Sequence, residues 1–596
     1  NVVFRLMERL LVSTAIEESW IDAEPMLFLG EWCRHPSRRH RWENLDIEVV
    51  PYHWNDRAKV KGDRRYLDDL YEALLGELAN ELNERHGVDH GIRYWRILVG
   101  PWLGFVVQEL FDRWETISAA LSGFHVSGTI VLEGLPDARP AYDMADHLAL
   151  TNSWEWNHHL SSMILQGFTN VDCLSKSVAD EPGFRLSWDP EEPTAPMSFA
   201  HRLFVAGSDL LSRCTRSTDA LVINSGLRSL RDELTLQRRL GQVPCLRRVE
   251  QPVHVGVESA QRCWSLGEAD PGSFDSCVRK LVPSLLPSAY LEGYGSLGAQ
   301  INRLRWPERP SVVFTSASHF YDDVFKAWCA EKVEAGAPLV IGQHGGHVGI
   351  GWSFVHDHQM EVADRFLSWG WEVATEPKVV PVGMLKAPVL PDRHLDGDGR
   401  VVLILGNETA QLTSLTSSAL SSQFNEYLEE LHTFVEELAE EVRGELMVRL
   451  SRHDTDWEVG ERWRSRHPEV ALDDGHRPVL DLLSETRLFI TTNNGTTFLE
   501  SIYLDVPTVM FWDTEKWGLT SLALPAFAEL RAAGVFFDDP ISAARHVSEI
   551  WGDVGSWWAN PAVREAVASF SLQFCRQSPD VVDGILSELA SVAGGR

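Results

Sequence analysis

The chain has 596 residues, enough for more than one domain at roughly 100–200 residues each. Its 44% hydrophobic and 23% charged residues are the balance of a globular protein and exclude a disordered one. With 86 acidic against 54 basic side chains, the net charge of −32 repels nucleic acid at long range and argues against a nucleic-acid partner.

The first hundred residues alternate strand and helix signals. Residues 9–14, 25–30 and 45–51 are short apolar runs of strand length, and 63–86 places Leu67, Leu70, Leu74, Leu75, Leu78 and Leu82 on one helical face. The stretch from about 115 to 305, rich in Trp and Leu, reads as a helical insertion. Strand signals return at 311–316, 338–343, 364–369 and 379–382, followed by a Pro/Gly/Asp-rich linker at 390–400. Beyond it come strands at 401–405, 445–450, 487–492 and 506–511. They alternate with an acidic helix at 423–443, a short one at 479–485 and one at 494–504, and the tail after 560 reads as helical. Alternation of this kind predicts parallel sheets with helical crossovers. The expected architecture is α/β, with two Rossmann-like domains facing a cleft. Residues 1–395 form the first, acceptor-side domain, 396–560 the second, nucleotide-binding one, and 561–596 a helical tail.

Eight cysteines, at 33, 173, 214, 245, 263, 277, 329 and 575, form no Cys-x-x-Cys pair. They read as reduced thiols, with no metal site expected. Arg5, Glu8 and Arg9 interrupt the early apolar run, so no signal peptide is expected. No run of about 18 apolar residues reads as a membrane span. The expected location is cytoplasmic, with peripheral docking at the inner membrane and the oligomeric state left open.

The sharpest chemical signal is Ile-Gly-Gln-His-Gly-Gly-His-Val-Gly-Ile-Gly at 341–351. Its glycines permit close approach to a ligand, and His344 stands at the carboxyl end of a strand, where α/β sheets bind ligands. An imidazole there suits a general base, with Gln343, Gly345 and Gly346 as substrate contacts. The same composition also fits a flexible turn. A second signal is the strand-to-helix junction at Asn493, Asn494, Gly495, Thr496 and Thr497, with Glu500 one turn later. Small polar residues at a helix start suit an anion, and Glu500 suits a sugar hydroxyl. Gly406 and Asn407 end the first strand of the second domain, and Arg449 and His453 follow the next, where they suit a phosphate. In the first domain, Glu31 and Asp56 are expected as catalytic carboxylates. His53, Arg57 and Arg93 lie among aromatics in the mix that sugar sites favour.

The segments at 11–20, 27–34, 51–59, 90–103, 110–114 and 341–351 resemble a family of transferases encoded in bacterial surface-polysaccharide gene clusters. More distantly, the order of His-Gly loop, basic strand end and small-polar helix start is similar to that of GT-B transferases with cytidine-nucleotide donors, namely the Kdo, nonulosonate and glycerophosphate transferases. In that likeness Gln343-His344-Gly345 stands where a Trp-His-Gly loop supplies a catalytic histidine. Leu450-Ser451-Arg452-His453 stands where His-Pro is usual, and Thr492 to Thr496 lacks the usual Asp. The resemblance implies a GT-B glycosyltransferase with a nucleotide-sugar co-substrate, led by a CMP-activated acidic sugar, a glycan or glycolipid acceptor, and no further cofactor. A polyol-phosphate transferase, a non-catalytic scaffold of polysaccharide assembly and a nucleotide-sugar epimerase stay open beside it.

Overall fold

The computed structural model describes residues 8–178, 208, 211–247, 250–355, 357–389 and 399–594. The described residues form three sheets in which every paired strand is parallel. The first has the order β3-β2-β1-β4-β5, built from β1 (Arg9–Val12), β2 (Met26–Phe28), β3 (Ile47–Val49), β4 (Val126–Glu133) and β5 (Cys173–Ser177). The second runs β10-β9-β8-β7-β6, from β6 (Leu221–Val222), β7 (Val313–Thr315), β8 (Leu339–Gly342), β9 (Arg365–Ser368) and β10 (Val379–Pro381). The third is β13-β12-β11-β14-β15-β16, from β11 (Arg400–Ile404), β12 (Leu446–Arg449), β13 (Ala471–Asp473), β14 (Thr486–Thr491), β15 (Thr508–Phe511) and β16 (Phe536–Phe537).

Burial on both faces explains the apolar runs. β2, β8 and β15 have every residue buried, as parallel strands under helices require. The first and third sheets reverse direction of growth, between β1 and β4 and between β11 and β14, which opens a crevice at the carboxyl ends of those strands. The second sheet grows in one direction only and has no such reversal.

The expectation of parallel α/β lobes holds, but the stretch assigned to the first domain carries two sheets rather than one. The helical insertion expected at 115–305 also contains β4, β5 and β6. β4 (VSGTIVLE) has Ser and Gly at its second and third positions, β5 (CLSKS) is a mostly exposed edge strand and β6 has two residues, so none presents a long apolar run. The helix expected at 63–86 starts earlier, at Arg57, because the Asp56 carboxylate caps it, and it ends where Gly87 turns left-handed at φ 64°. The helix expected at 423–443 breaks into Gln423–Glu437 and Glu440–Arg443. Residues 390–398 of the expected linker lie outside the described residues.

The three lobes are tied together by hydrogen bonds. On the helix Gly100–Gly123, Arg113 donates to the Leu412 carbonyl (3.1 Å) and Gln108 accepts from the Leu415 amide (2.5 Å). After the helix Pro561–Phe574, the tail returns to the second sheet, where the Arg576 amide donates to the Trp369 carbonyl at 2.8 Å. Gly370 makes this contact possible. Its φ is +146°, and a β-carbon there would stand 2.7 Å from the Leu572 carbonyl oxygen. Among the described residues no helix is long and apolar enough to cross a membrane.

Candidate functional site at the crevice of the third sheet

The crevice between β11 and β14 holds a cavity of about 310 Å3. Gly406, Asn407 and Glu408 line it after β11, and Asn493, Asn494 and Gly495 after β14. Trp517 and Ser414 complete the wall, and His347 reaches in from the second sheet's loop. The two strand ends are held by one tyrosine. The Tyr427 hydroxyl accepts from the Gly406 amide at 2.6 Å and bonds the Thr492 hydroxyl, which donates to the Ile404 carbonyl at 2.9 Å. Asn493 accepts from the Gly495 amide at 2.9 Å, closing a tight turn before the helix Thr497–Tyr503.

The glycine-rich loop after β8 is pressed onto that turn. The Gly346 amide donates to the Thr496 hydroxyl at 2.9 Å. A β-carbon on Gly346 would lie 2.7 Å from the Gly495 carbonyl oxygen and 2.8 Å from Thr496 Cα, so only glycine permits the approach. His347 is fixed by Asn494 Oδ1 at 3.2 Å from Nδ1 and by the Trp352 carbonyl at 3.0 Å from Nε2. Cavity and loop therefore form one unit across two lobes.

Two wall groups have unspent hydrogen-bonding capacity. Trp517 Nε1 and Ser414 Oγ are buried without a partner. Burying such donors is costly unless a ligand or water meets them. Glu408 is the third notable group. Burial pushes its carboxyl up to about 8, against a Ser418 hydrogen bond that pulls the other way. Near neutral pH it is a protonated acid that can donate to an anionic oxygen.

His344 does not line this cavity. Solvent reaches it, yet surrounding protein displaces water from the ring and Lys386 adds positive charge, and both lower its pKa. A neutral imidazole is the form that accepts a proton. Glu500 also feels Lys386. Burial raises its carboxyl while Lys386 opposes the rise. Gly345 lies 3.8 Å, measured from an added β-carbon, from the Thr496 hydroxyl. Thr497 begins the helix, which is only seven residues long, and the Thr496 side chain does not cap it. His453 is exposed and lines a neighbouring cavity of about 250 Å3 that shares Gly406 and Asn407 with the first.

Several expected site residues are spent on structure instead. Gln343 is 1% exposed, donates to the Gly345 and Val348 carbonyls, and accepts from Trp369 and Trp371, so it shapes the loop and has nothing left for substrate. Arg449 binds Asp473 at 2.6 Å and the Gly475 and Arg477 carbonyls, closing strand ends rather than a phosphate. Arg57, expected at an acceptor, latches the first lobe to the third through the Glu515 and Lys516 carbonyls and Gln423. Arg93 is held by Asp364 and the Val362 carbonyl. His53 lies buried against Asp112 at 3.2 Å. Of the two carboxylates expected in catalysis, Asp56 is a helix cap and Glu31 is gripped by both ends of Arg34 at 2.6 Å. Trp517, Ser414 and Lys386 carried no motif in the sequence. Glu408 did have a signal, since it directly follows Gly406-Asn407 at a strand end.

Parallel sheets with a ligand-ready crevice at a reversal of strand order define a Rossmann-like α/β protein. The model of the LIC12162 family transferase matches residues 9–589, and the chain belongs to this family of transferases. No curated protein matches the sequence. Among solved structures, Acinetobacter baumannii MurG is similar at 12% identity, over 63% of this chain and 99% of that one, with a TM-score of 0.30. The wall teichoic acid polymerase TagF is similar at 11% identity, over 51% and 76%, with a TM-score of 0.28. The spinosyn rhamnosyltransferase SpnG is similar at 13% identity, over 50% and 77%, with a TM-score of 0.27.

Proposed function

We propose that this transferase is a GT-B-like glycosyltransferase that moves a sugar from a nucleotide donor to a glycan acceptor. The observation that carries the reading is the 310 Å3 cavity at the β11–β14 crevice, with Trp517 Nε1 and Ser414 Oγ unpartnered in its wall. Backbone at Gly406–Asn407 and Asn493–Gly495 would face the donor's phosphate and ribose. Protonated Glu408 would donate to the leaving phosphate as negative charge builds on it, without needing a cation in a strongly acidic protein. His344, kept neutral by its surroundings, is the group suited to take the acceptor hydroxyl proton, and the Lys386 charge acts on both it and Glu500. The leading donor is a CMP-activated acidic sugar of the nonulosonate or Kdo type.

Thermal melting of the full chain with CMP, CDP, UDP, GDP and their sugars tests this. A ligand of the folded state raises the melting temperature by mass action, about 2.7 kcal/mol at a hundredfold excess over Kd. Cytidine nucleotides should give the largest rise. If none of the panel moves the melting temperature, the cavity is not a nucleotide site. Release of CMP from CDP-glycerol would reassign the transferred group to a polyol phosphate. In an assay with the identified donor, His344→Ala should lower turnover by roughly 100-fold or more while the nucleotide-induced melting shift persists.

A further inference from the structure

A second and larger opening, about 740 Å3, lies between the first lobe and the third. One wall is the segment after β2, with Glu31 and Trp42. The other is the helix Gln423–Glu437, with His432, and the stretch of Asp456, Glu458 and Arg462. Its volume lies in the range of small-molecule sites. Nothing in the transferase reading above assigns it a role.

Three features mark it as built for a ligand. His432 is 2% exposed and its Nδ1 has no hydrogen-bond partner. Arg462 spends its guanidinium on one amide, Asn425 Oδ1 at 2.8 Å, and among the described residues meets no carboxylate at ion-pair distance. Asp456 and Glu458 both have left-handed backbone, φ 72° and 48°, an unfavourable region for residues with a β-carbon. Strained backbone tends to gather where a site needs side chains held in place.

The chemistry of the lining selects the occupant. Arg462 and His432 can donate, and Asp456 and Glu458 can accept. Half-buried Trp42 offers an indole, with Arg34 5.7 Å from its ring centre. Sugar hydroxyls both donate and accept, and pyranose faces are apolar, so a saccharide matches this mixture. A phosphate matches it poorly, because the groove carries more carboxylates than guanidinium groups. Position agrees with this. Ala410 lines the groove while Gly406 to Thr409 line the 310 Å3 cavity. The Glu408 carbonyl accepts from Trp457 Nε1 at 2.9 Å, and Trp457 is a wall of the groove. The two openings thus share the segment 406–410.

We propose that this inter-lobe groove binds a saccharide and anchors the acceptor glycan by a part remote from the hydroxyl that reacts at His344, a residue outside the groove's lining. The proposal rests on the glycosyltransferase reading for the word acceptor, and on the groove alone for the saccharide. The test is binding of the full chain to a broad array of free glycans, followed by calorimetry on the best ligand. Binding should fall at least tenfold in Trp42→Ala and in Arg462→Gln. Arg462→Gln should keep the nucleotide-induced melting shift. That retained shift also certifies that the variant folds. The proposal is overturned if no glycan binds or if binding survives both groove substitutions. Glycan binding without any nucleotide shift would leave the groove standing and remove the nucleotide reading.

Discussion

The first and third sheets share one strand order up to their fifth strand, yet one crevice is filled and the other is open. In the first sheet, His158 spans the gap between the strand ends. Its Nε2 accepts from the Leu132 amide at 3.0 Å, which leaves Nδ1–H to donate to Ser13 Oγ at 2.7 Å. Trp32 closes the top by donating to the Ser13 carbonyl at 3.1 Å. In the third sheet, the corresponding positions carry Gly406, Asn407 and the Asn493–Gly495 turn, which leave space. Topology creates the crevice in both, and side-chain volume decides whether it becomes a site.

The most severe way to break this contrast is to remove the plug. His158→Ala leaves a cavity and an unsatisfied Leu132 amide, so it should cost about 3–5 kcal/mol, read from the urea midpoint. A loss below about 1 kcal/mol would mean that His158 fills nothing important. Gly346→Ala comes next. Its β-carbon meets backbone at 2.7–2.8 Å, and about 1–3 kcal/mol of strain should separate the loop from the turn and abolish the nucleotide-induced melting shift. An unchanged shift would show that the second lobe takes no part in the cavity.

The two crevices should also respond to pH in opposite directions. Burial lowers His158 from its ordinary 6.5 to about 4. Between those values the unfolded chain binds more protons, so this contribution to stability is present above pH 6.5 and lost as pH falls toward 4. Burial raises Glu408 from 4.5 to about 8. There the folded chain binds more protons, so stability declines as pH rises from 4.5 to 8. Glu408→Gln, which mimics the protonated acid, should match the parent melting temperature at pH 5 and exceed it at pH 8.5. Equal melting temperatures at both pH values would remove Glu408 as a neutral acid. The mildest change is Ser414→Ala, which deletes only the Oγ hydroxyl. It should weaken nucleotide binding by roughly 0.5–1.5 kcal/mol, about 2- to 13-fold in Kd, with little change in stability. Unaltered affinity would show that this hydroxyl meets no ligand.

Four of the third sheet's six strands, β11, β12, β14 and β15, were readable as apolar runs between turn residues, while the short β13 and β16 were not. β4 and β5 were hidden by Ser, Gly and Lys on a first-sheet flank that is partly exposed. The cavity's glycine and asparagine corners at 406–407 and 493–495 were visible for a similar local reason, since tight strand-end turns restrict composition. The charged residues misled. Arg57, Arg93 and Arg449 have the right chemistry for a ligand, but carbonyls and carboxylates brought from other segments had already taken their donors.

Local composition was therefore sufficient for the parallel α/β class, for four strands of the third sheet and for the turn after β8, because periodicity and turn chemistry act over a few residues. Long-range packing decided the rest. It split the first domain's stretch into two sheets, turned Gln343 and Asp56 into structural residues, and joined Glu408, Trp517 and Ser414 around one cavity. Hydrogen-bond partners and burial come from residues far apart in the chain, and no local pattern records which of them will meet.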